Sequence, residues 1–231
     1  MLFPLRKILC LYYCNYNCKS NYKMINDKNL KWTESQISPE KRACLLGQRG
    51  CVLWLTGLSG SGKTTIARKL EEHLMSAGHP CYVLDGDNIR HGLNSDLGFS
   101  ESDRTENIRR ISEVSALFAD AGLIVITSFI SPFRDDRRKA RQKVPEGAFI
   151  EIYLDTSLEV CEKRDPKNLY KKARKGEIPD FTGISSPYEP PEKAEIVLDT
   201  GKLSLESCIN HIVDYFLENS IIPEKPGIED R

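Results

Sequence analysis

The chain has 231 residues, 40% hydrophobic and 29% charged, which suits one globular domain of roughly 150–200 residues plus appendages. Its 33 Lys and Arg balance 33 Asp and Glu to a formal net charge of zero, so nucleic acid is not expected as a partner. No apolar run reaches 18 residues, which excludes a membrane-spanning helix, and 15 Gly with 12 Pro exclude collagen-like and low-complexity classes.

Residues 1–26 carry Arg6, Lys7, Lys19 and Lys23 and no acid until Asp27. The apolar stretch Ile8 to Tyr13 is too short for a signal-peptide core, so the segment reads as an unstructured extension. An organelle-targeting leader is the alternative, and Met24 can itself serve as a start. Residues 27–48 are polar and read as a linker or surface strap. Residues 49–222 form the expected core domain, and 223–231 a tail. Eight cysteines without a CxxC pair argue against a disulfide framework or a zinc ribbon and for a reducing, cytoplasmic compartment. Cys10, Cys14 and Cys18 recur every four residues, a spacing that puts three thiols on one helix face without a fourth metal ligand.

From Gly50 onward, short apolar runs alternate with stretches of helical period. The runs are 51–56, 81–85, 123–127, 149–155 and 196–199. They are rich in β-branched residues and mostly lack polar alternation, which predicts parallel strands buried on both faces. The clearest helix is expected from about Arg104 to Ala121, with Ile108, Ile111, Val114 or Ser115, and Phe118 on one face. Asp103 and Glu106 have the spacing of a capping box, and Gly122 stands where a helix stop belongs. Strand–helix alternation gives an α/β fold with a parallel sheet and right-handed crossovers.

The segment Gly57-Leu58-Ser59-Gly60-Ser61-Gly62-Lys63-Thr64-Thr65 matches GxxxxGK[ST] in full, with a strand before it and a helix after it. Its glycines let successive N–H groups curl around a phosphate, and the helix that starts there turns its positive end toward it. Lys63 suits the β- and γ-phosphate oxygens, and the Thr64 hydroxyl suits Mg²⁺. ATP binding follows. The strand at 81–85 ends in Asp85-Gly-Asp87-Asn88, without the acidic pair of helicase-like ATPases, and no guanine-reading NKxD segment occurs. A small kinase remains.

Asp85 and Asp87 fall at the carboxyl edge of a strand, where ligands of open α/β sheets bind. One suits the Mg²⁺ shell and the other accepts a proton from an attacking hydroxyl, although an Asp-Gly turn alone has no such meaning. Basic residues cluster at Arg90 to Arg110, at Arg134 to Lys143 (six bases, two acids) and at Lys163 to Lys175 (seven bases, one acid). Such runs are usually solvated helix faces, but phosphoryl transfer needs cations and a mobile cover that excludes water. Residues 176–191 read as a loop whose Phe181 and Tyr188 either stack on a base or pin the loop to the core.

These segments together resemble adenylylsulfate kinase (APS kinase). The resemblance runs from about Asn29 to Pro223 through GLSGSGKTT at 57–65, LDGDNIRHGLN at 84–94, LGFSESDRTENIRR at 97–110, TSFISPFR at 127–134, RDPKNLYKKARKGEIPDFTGI at 164–184 and PYE at 187–189. It implies a P-loop kinase with a five-stranded parallel sheet, flanking helices and a mobile lid, which uses ATP and Mg²⁺ to phosphorylate the 3′-hydroxyl of adenosine 5′-phosphosulfate. It also implies a homodimer. Carried over by position, the acceptor site would be Asp87, Asn88, Arg90, Phe99, Arg104, Asn107, Ile130, Ser131, Lys167 and Phe181. Phe99 and Phe181 would clamp its adenine, while Arg90, Arg104 and Asn107 would hold its phosphosulfate end. Arg164 would lie against the adenine of ATP. Ser131 matches a serine for which a phosphoserine intermediate has been proposed. Direct in-line transfer needs no covalent step, so Ser131 is expected to donate a hydrogen bond to substrate.

Three positions depart from the family pattern. Asn168 stands where glycine is usual, and Ser185 where an acid is usual. Ser35 stands where plant members carry a regulatory cysteine, while its partner is present as Cys51. The competing readings are another small-molecule P-loop kinase, for instance of a sugar acid, and a nucleotide-binding module without turnover.

Overall fold

The computed structural model describes residues 31, 33 and 35–223. The expected leader with its three spaced cysteines and most of the tail lie outside the described residues. The elements in chain order are α1 (Pro39–Leu46), β1 (Cys51–Thr56), α2 (Lys63–Ser76), β2 (Cys81–Asp85), α3 (Gly86–Arg90), α4 (Glu101–Asp120) and β3 (Ile124–Ser128). They continue with α5 (Arg134–Arg141), β4 (Phe149–Leu154), α6 (Leu158–Arg164), α7 (Leu169–Arg174), β5 (Ile196–Leu198) and α8 (Leu205–Glu218). The five strands form one parallel sheet of order β2-β3-β1-β4-β5.

Both faces of the sheet are covered, which is why its strands write continuous apolar runs. Cys51, Leu53 and Leu55 of β1 face α2 and α8 with Ile66, Leu70, Ile212 and Phe216. Val52 and Trp54 face the other way, onto Ile108 and Ile111 of α4 and Ala140 of α5. A third, smaller cluster joins Cys161, Tyr170, Ala173 and Phe181, with Leu58 against it. It seats α6, α7 and the following loop beside the phosphate-binding turn.

Three local readings need correction. Helix α4 begins at Glu101 rather than near Arg104, because Ser100 caps it one turn upstream. Ser100 Oγ accepts from Asp103 N at 3.2 Å and donates to Asp103 Oδ2 at 2.8 Å, while Glu106 binds Arg109 and Arg110 instead. Strand β3 starts at Ile124, since Leu123 N still bonds Phe118 O at 3.1 Å to close the helix end; Gly122 takes φ 92° there. Finally, residues 39–46 of the polar strap are helical, with Ser38 at the N-cap. Beyond that helix, the buried Gln48 donates Nε2 to Pro80 O at 2.7 Å and Gly122 O at 3.0 Å.

Candidate functional site

The carboxyl ends of β1, β2, β3 and β4 converge on the turn between β1 and α2. Gly57, Gly60 and Gly62 hold φ of 150°, 76° and 97°, so the turn depends on residues without a Cβ. At Gly60 a Cβ would also stand 2.9 Å from the Cys161 carbonyl oxygen. Lys63 donates Nζ to Gly57 O at 2.9 Å and Leu58 O at 2.7 Å, folding its cation back over the turn. Burial pulls the Lys63 ammonium down to about 8. Ser61 is buried, and Thr64 and Thr65 are exposed on the first turn of α2.

Thr64 Oγ1 lies 3.2 Å from Ser128 Oγ at the end of β3 and within hydrogen-bond distance of Asp85. Asp85 is buried, and its side chain caps α3 by accepting from Asp87 N. Thus the Asp-Gly turn of the sequence opens a short helix. Asp87 and Asn88 are exposed, and Asp87 forms an ion pair with Lys167 from the segment between α6 and α7. Burial lowers the proton affinity of both Lys63 and Arg90, and the Asp87 charge opposes that shift in each.

The predicted acceptor residues gather around Arg104. Its Nε donates to Phe99 O at 2.9 Å, and its other nitrogens donate to Thr182 Oγ1 and Asp180 O. Arg104 therefore ties the Phe99 segment to the loop that holds Phe181. Arg90 stacks its guanidinium 4.3 Å from the Phe99 ring centre and donates to Leu97 O and Gly98 O. Each arginine is depressed by burial, and Arg104 lowers Arg90 further as a like charge. Phe99 is 65% exposed, whereas Phe181 is 7% exposed with Tyr170 edge-on at 5.0 Å. This packing pins the Phe181 loop to the core. Asn107 is buried and accepts from Asn94 Nδ2 at 2.8 Å. The Ile130 carbonyl accepts from Thr56 Oγ1 at 2.7 Å. Ser131 is buried and accepts from Trp54 Nε1 at 3.0 Å.

On the far side of the turn, Arg164 donates to Gly60 O at 3.3 Å, to Thr200 Oγ1 at 2.8 Å and to Thr200 O at 2.7 Å. Thr200 itself donates to Ser61 O at 2.8 Å. Sequence reading missed Thr200, and it missed Tyr170, whose hydroxyl donates to Ser59 O at 2.9 Å. The basic run 134–143 is a structural one rather than a phosphate cover. All six of its bases are ion-paired: Arg134 to Glu192, Arg137 to Glu151, Arg138 and Lys139 to Asp135, Arg141 to Glu195, and Lys143 to Glu113.

A family model described as adenylylsulphate kinase matches residues 49–199. The chain belongs to the adenylylsulfate kinase family. It is 57% identical over 194 residues to an adenylyl-sulfate kinase of Clostridium acetobutylicum, spanning 84% of this chain and 96% of that protein. It is 56% identical over 197 residues to an adenylyl-sulfate kinase of Bacillus velezensis, spanning 85% of this chain and all of that protein. Among solved structures, the Mycobacterium tuberculosis APS kinase in complex with AMPPNP and APS shares 47% identity at a TM-score of 0.68, covering 72% of this chain and 97% of that one.

The three departures from the adenylylsulfate kinase pattern each have a local account. Asn168 takes φ 55°, the left-handed conformation that Asn tolerates better than most residues, so it can stand where glycine is usual. Ser185 Oγ accepts from Phe181 N at 2.9 Å, a bond an acidic side chain can also accept. Ser35 Oγ accepts from Ile37 N at 3.1 Å. Cys51 is buried in β1 on the face of the sheet that α2 and α8 cover, and burial pushes its thiol up to about 12. Among the described residues, no helix is long and apolar enough to cross a membrane.

Proposed function

We propose that this chain transfers the γ-phosphoryl group of ATP to the 3′-hydroxyl of adenosine 5′-phosphosulfate, releasing ADP and 3′-phosphoadenosine 5′-phosphosulfate, with the roles that follow. The observation that carries the reading is the position of Asp87, on the short helix that leads to Arg90 and is capped by Asp85, whose other carboxylate oxygen accepts from Thr64 beside the phosphate cradle. A hydroxyl seated between those groups would attack with its proton passing to the Asp87 carboxylate. The O3′–Pγ bond then forms as the bond from Pγ to the β,γ-bridging oxygen breaks, and ADP carries away that electron pair.

Lys63 neutralises charge on the transferring group once its ammonium leaves the Gly57 and Leu58 carbonyls. Arg90 and Arg104 offer rigid donor forks to the phosphosulfate end, and exposed Phe99 offers a stacking face to the adenine. Asn107, Ile130 and Asn88 shape the walls, and Lys167 covers the site from the α6–α7 side. Arg164 serves the adenine of ATP.

Thr64 and Asp85 fit Mg²⁺: a hydroxyl and a carboxylate oxygen, both hard donors, meet at the mouth of the cradle. When bound there, Mg²⁺ neutralises negative charge on the β- and γ-phosphates. Family resemblance supports a homodimer as the working assembly.

The reading is tested by coupled ADP release from the wild-type chain with adenylylsulfate, with gluconate and with no acceptor. Turnover confined to adenylylsulfate is expected. Equal turnover with gluconate would make the chain a sugar-acid kinase, and no turnover at all would make it a binding module.

A further inference from the structure

Ser131 is gripped at both ends. Its φ is 40°, a left-handed conformation that non-glycine residues rarely take, and it is 2% exposed. Its hydroxyl oxygen accepts from the Trp54 indole Nε1 at 3.0 Å, and its carbonyl accepts from Arg137 Nη1 at 2.6 Å. Arg137 is equally buried and donates Nε to Glu151 Oε1 at 2.7 Å. Trp54 on β1 and Glu151 on β4 are register partners in the parallel ladder. Neighbouring strand positions thus anchor one loop residue, directly through Trp54 and by way of Arg137 from Glu151. Arg137 spends Nη2 on the Glu189 carbonyl at 2.6 Å, and Glu189 N donates to Pro132 O at 2.9 Å.

We propose that Arg137, held by Glu151, is a positioning residue for the acceptor: it fixes Ser131 in its left-handed conformation and so aims the Ser131 hydroxyl proton at adenylylsulfate. This inference rests on the function proposed above. A serine hydroxyl has one proton and two lone pairs, and an indole N–H can only donate. The Trp54 bond therefore occupies a lone pair and leaves the proton for another acceptor. The Arg137 bond, with a longer one from Thr56 Oγ1 at 3.4 Å, holds the carbonyl against the turn of the peptide that would swing the hydroxyl away. Three directed bonds from one planar fork are needed for this, and an ammonium at the same place does not reproduce them.

The test is a double-mutant cycle read in steady-state kinetics for both substrates. Arg137→Met is combined with Glu151→Met so that the two buried charges leave together, and Arg137→Lys provides a charge-keeping second variant should the pair fail to fold. The expected result is a rise in KM for adenylylsulfate of about 10-fold, with KM for ATP within about 2-fold. In a Ser131→Ala background the same changes should add less than about 2-fold, because the group being aimed is gone. Trp54→Phe keeps an aromatic ring but loses the indole N–H, and should show the same dependence on Ser131. Wild-type turnover together with losses that multiply in the Ser131→Ala background would overturn this inference alone. An equal rise in both KM values would also overturn it, since a structural role alone would then explain the loss. No wild-type turnover would overturn the proposed function and this inference with it.

Discussion

Thr64 donates its hydroxyl to Asp85 Oδ2 at 2.9 Å, joining the phosphate cradle after β1 to the carboxyl end of β2. Asp85 Oδ1 meanwhile accepts from Asp87 N at 3.0 Å, so one carboxylate both faces the cradle and sets the helix that carries Asp87. Asp85→Asn keeps an oxygen for the cap and removes the charge. The variant should unfold within a few degrees of wild type and lose kcat by a factor on the order of 10². Steady-state rates across a Mg²⁺ series, beside thermal unfolding, check both halves of that statement.

The buried Lys63 gives a pH dependence with a definite sign. Its proton affinity is lowered to about 8 by burial, and the charged form is the one that binds phosphate. As pH rises through that value the free protein loses the ammonium, and ATP binding must then recover a proton. Affinity for ATP should weaken above pH 8, approaching about tenfold per pH unit, while Lys63→Met should bind weakly with no such limb. Calorimetric titrations from pH 6.5 to 9.5 measure it; a flat wild-type profile would contradict the assignment.

Arg104 and Asp87 should fail in different ways. Arg104 spans Phe99 and the loop at 180–182, so Arg104→Ala removes both a donor fork and the tie between the two segments. Its kcat/KM for adenylylsulfate should fall by about 10²-fold with ATP affinity nearly constant, equivalent to roughly 2–4 kcal/mol. Asp87→Asn should still bind the acceptor and turn over slowly, because the 3′-hydroxyl has lost its proton acceptor. Inhibitor-displacement binding and kcat measured on both variants separate the two behaviours.

Much of this was legible in the sequence, for a physical reason that also explains the gaps. A sheet covered on both faces forces each strand into an apolar run, and a phosphate cradle forces glycines and a lysine into fixed spacing. Thr200 carries no such signature. It matters only because β5 ends beside Ser61, 139 residues earlier in the chain. Arg137 was hidden inside a basic run that looks like a solvated helix face, and only its 2% exposure and its bond to Glu151 set it apart. Ser100 gives no separate signal as the cap of α4, because Asp103 and Glu106 offer the same spacing one turn further on.

The thiol regulation of plant relatives should be missing. Cys51 is buried with its thiol pushed up to about 12, and the position of its partner is Ser35. A mild oxidant should change kcat by less than about 2-fold, and Cys51 should resist thiol reagents until the protein unfolds. Half-buried Cys44 is the substitute partner to watch. A reversible loss of rate that Cys51→Ser abolishes would contradict this prediction.

The position that receives the phosphoryl group distinguishes this kinase most directly from a sugar-acid kinase of the same fold. The wild-type chain, ATP, Mg²⁺ and adenylylsulfate should be incubated together, and the product followed by phosphorus NMR and mass spectrometry. One new phosphomonoester coupled to the ribose H3′ is expected, with one ADP formed per product and the phosphosulfate linkage intact. ADP release without a new monoester, or a phosphoryl group at any position other than the 3′-oxygen, would contradict the proposed function.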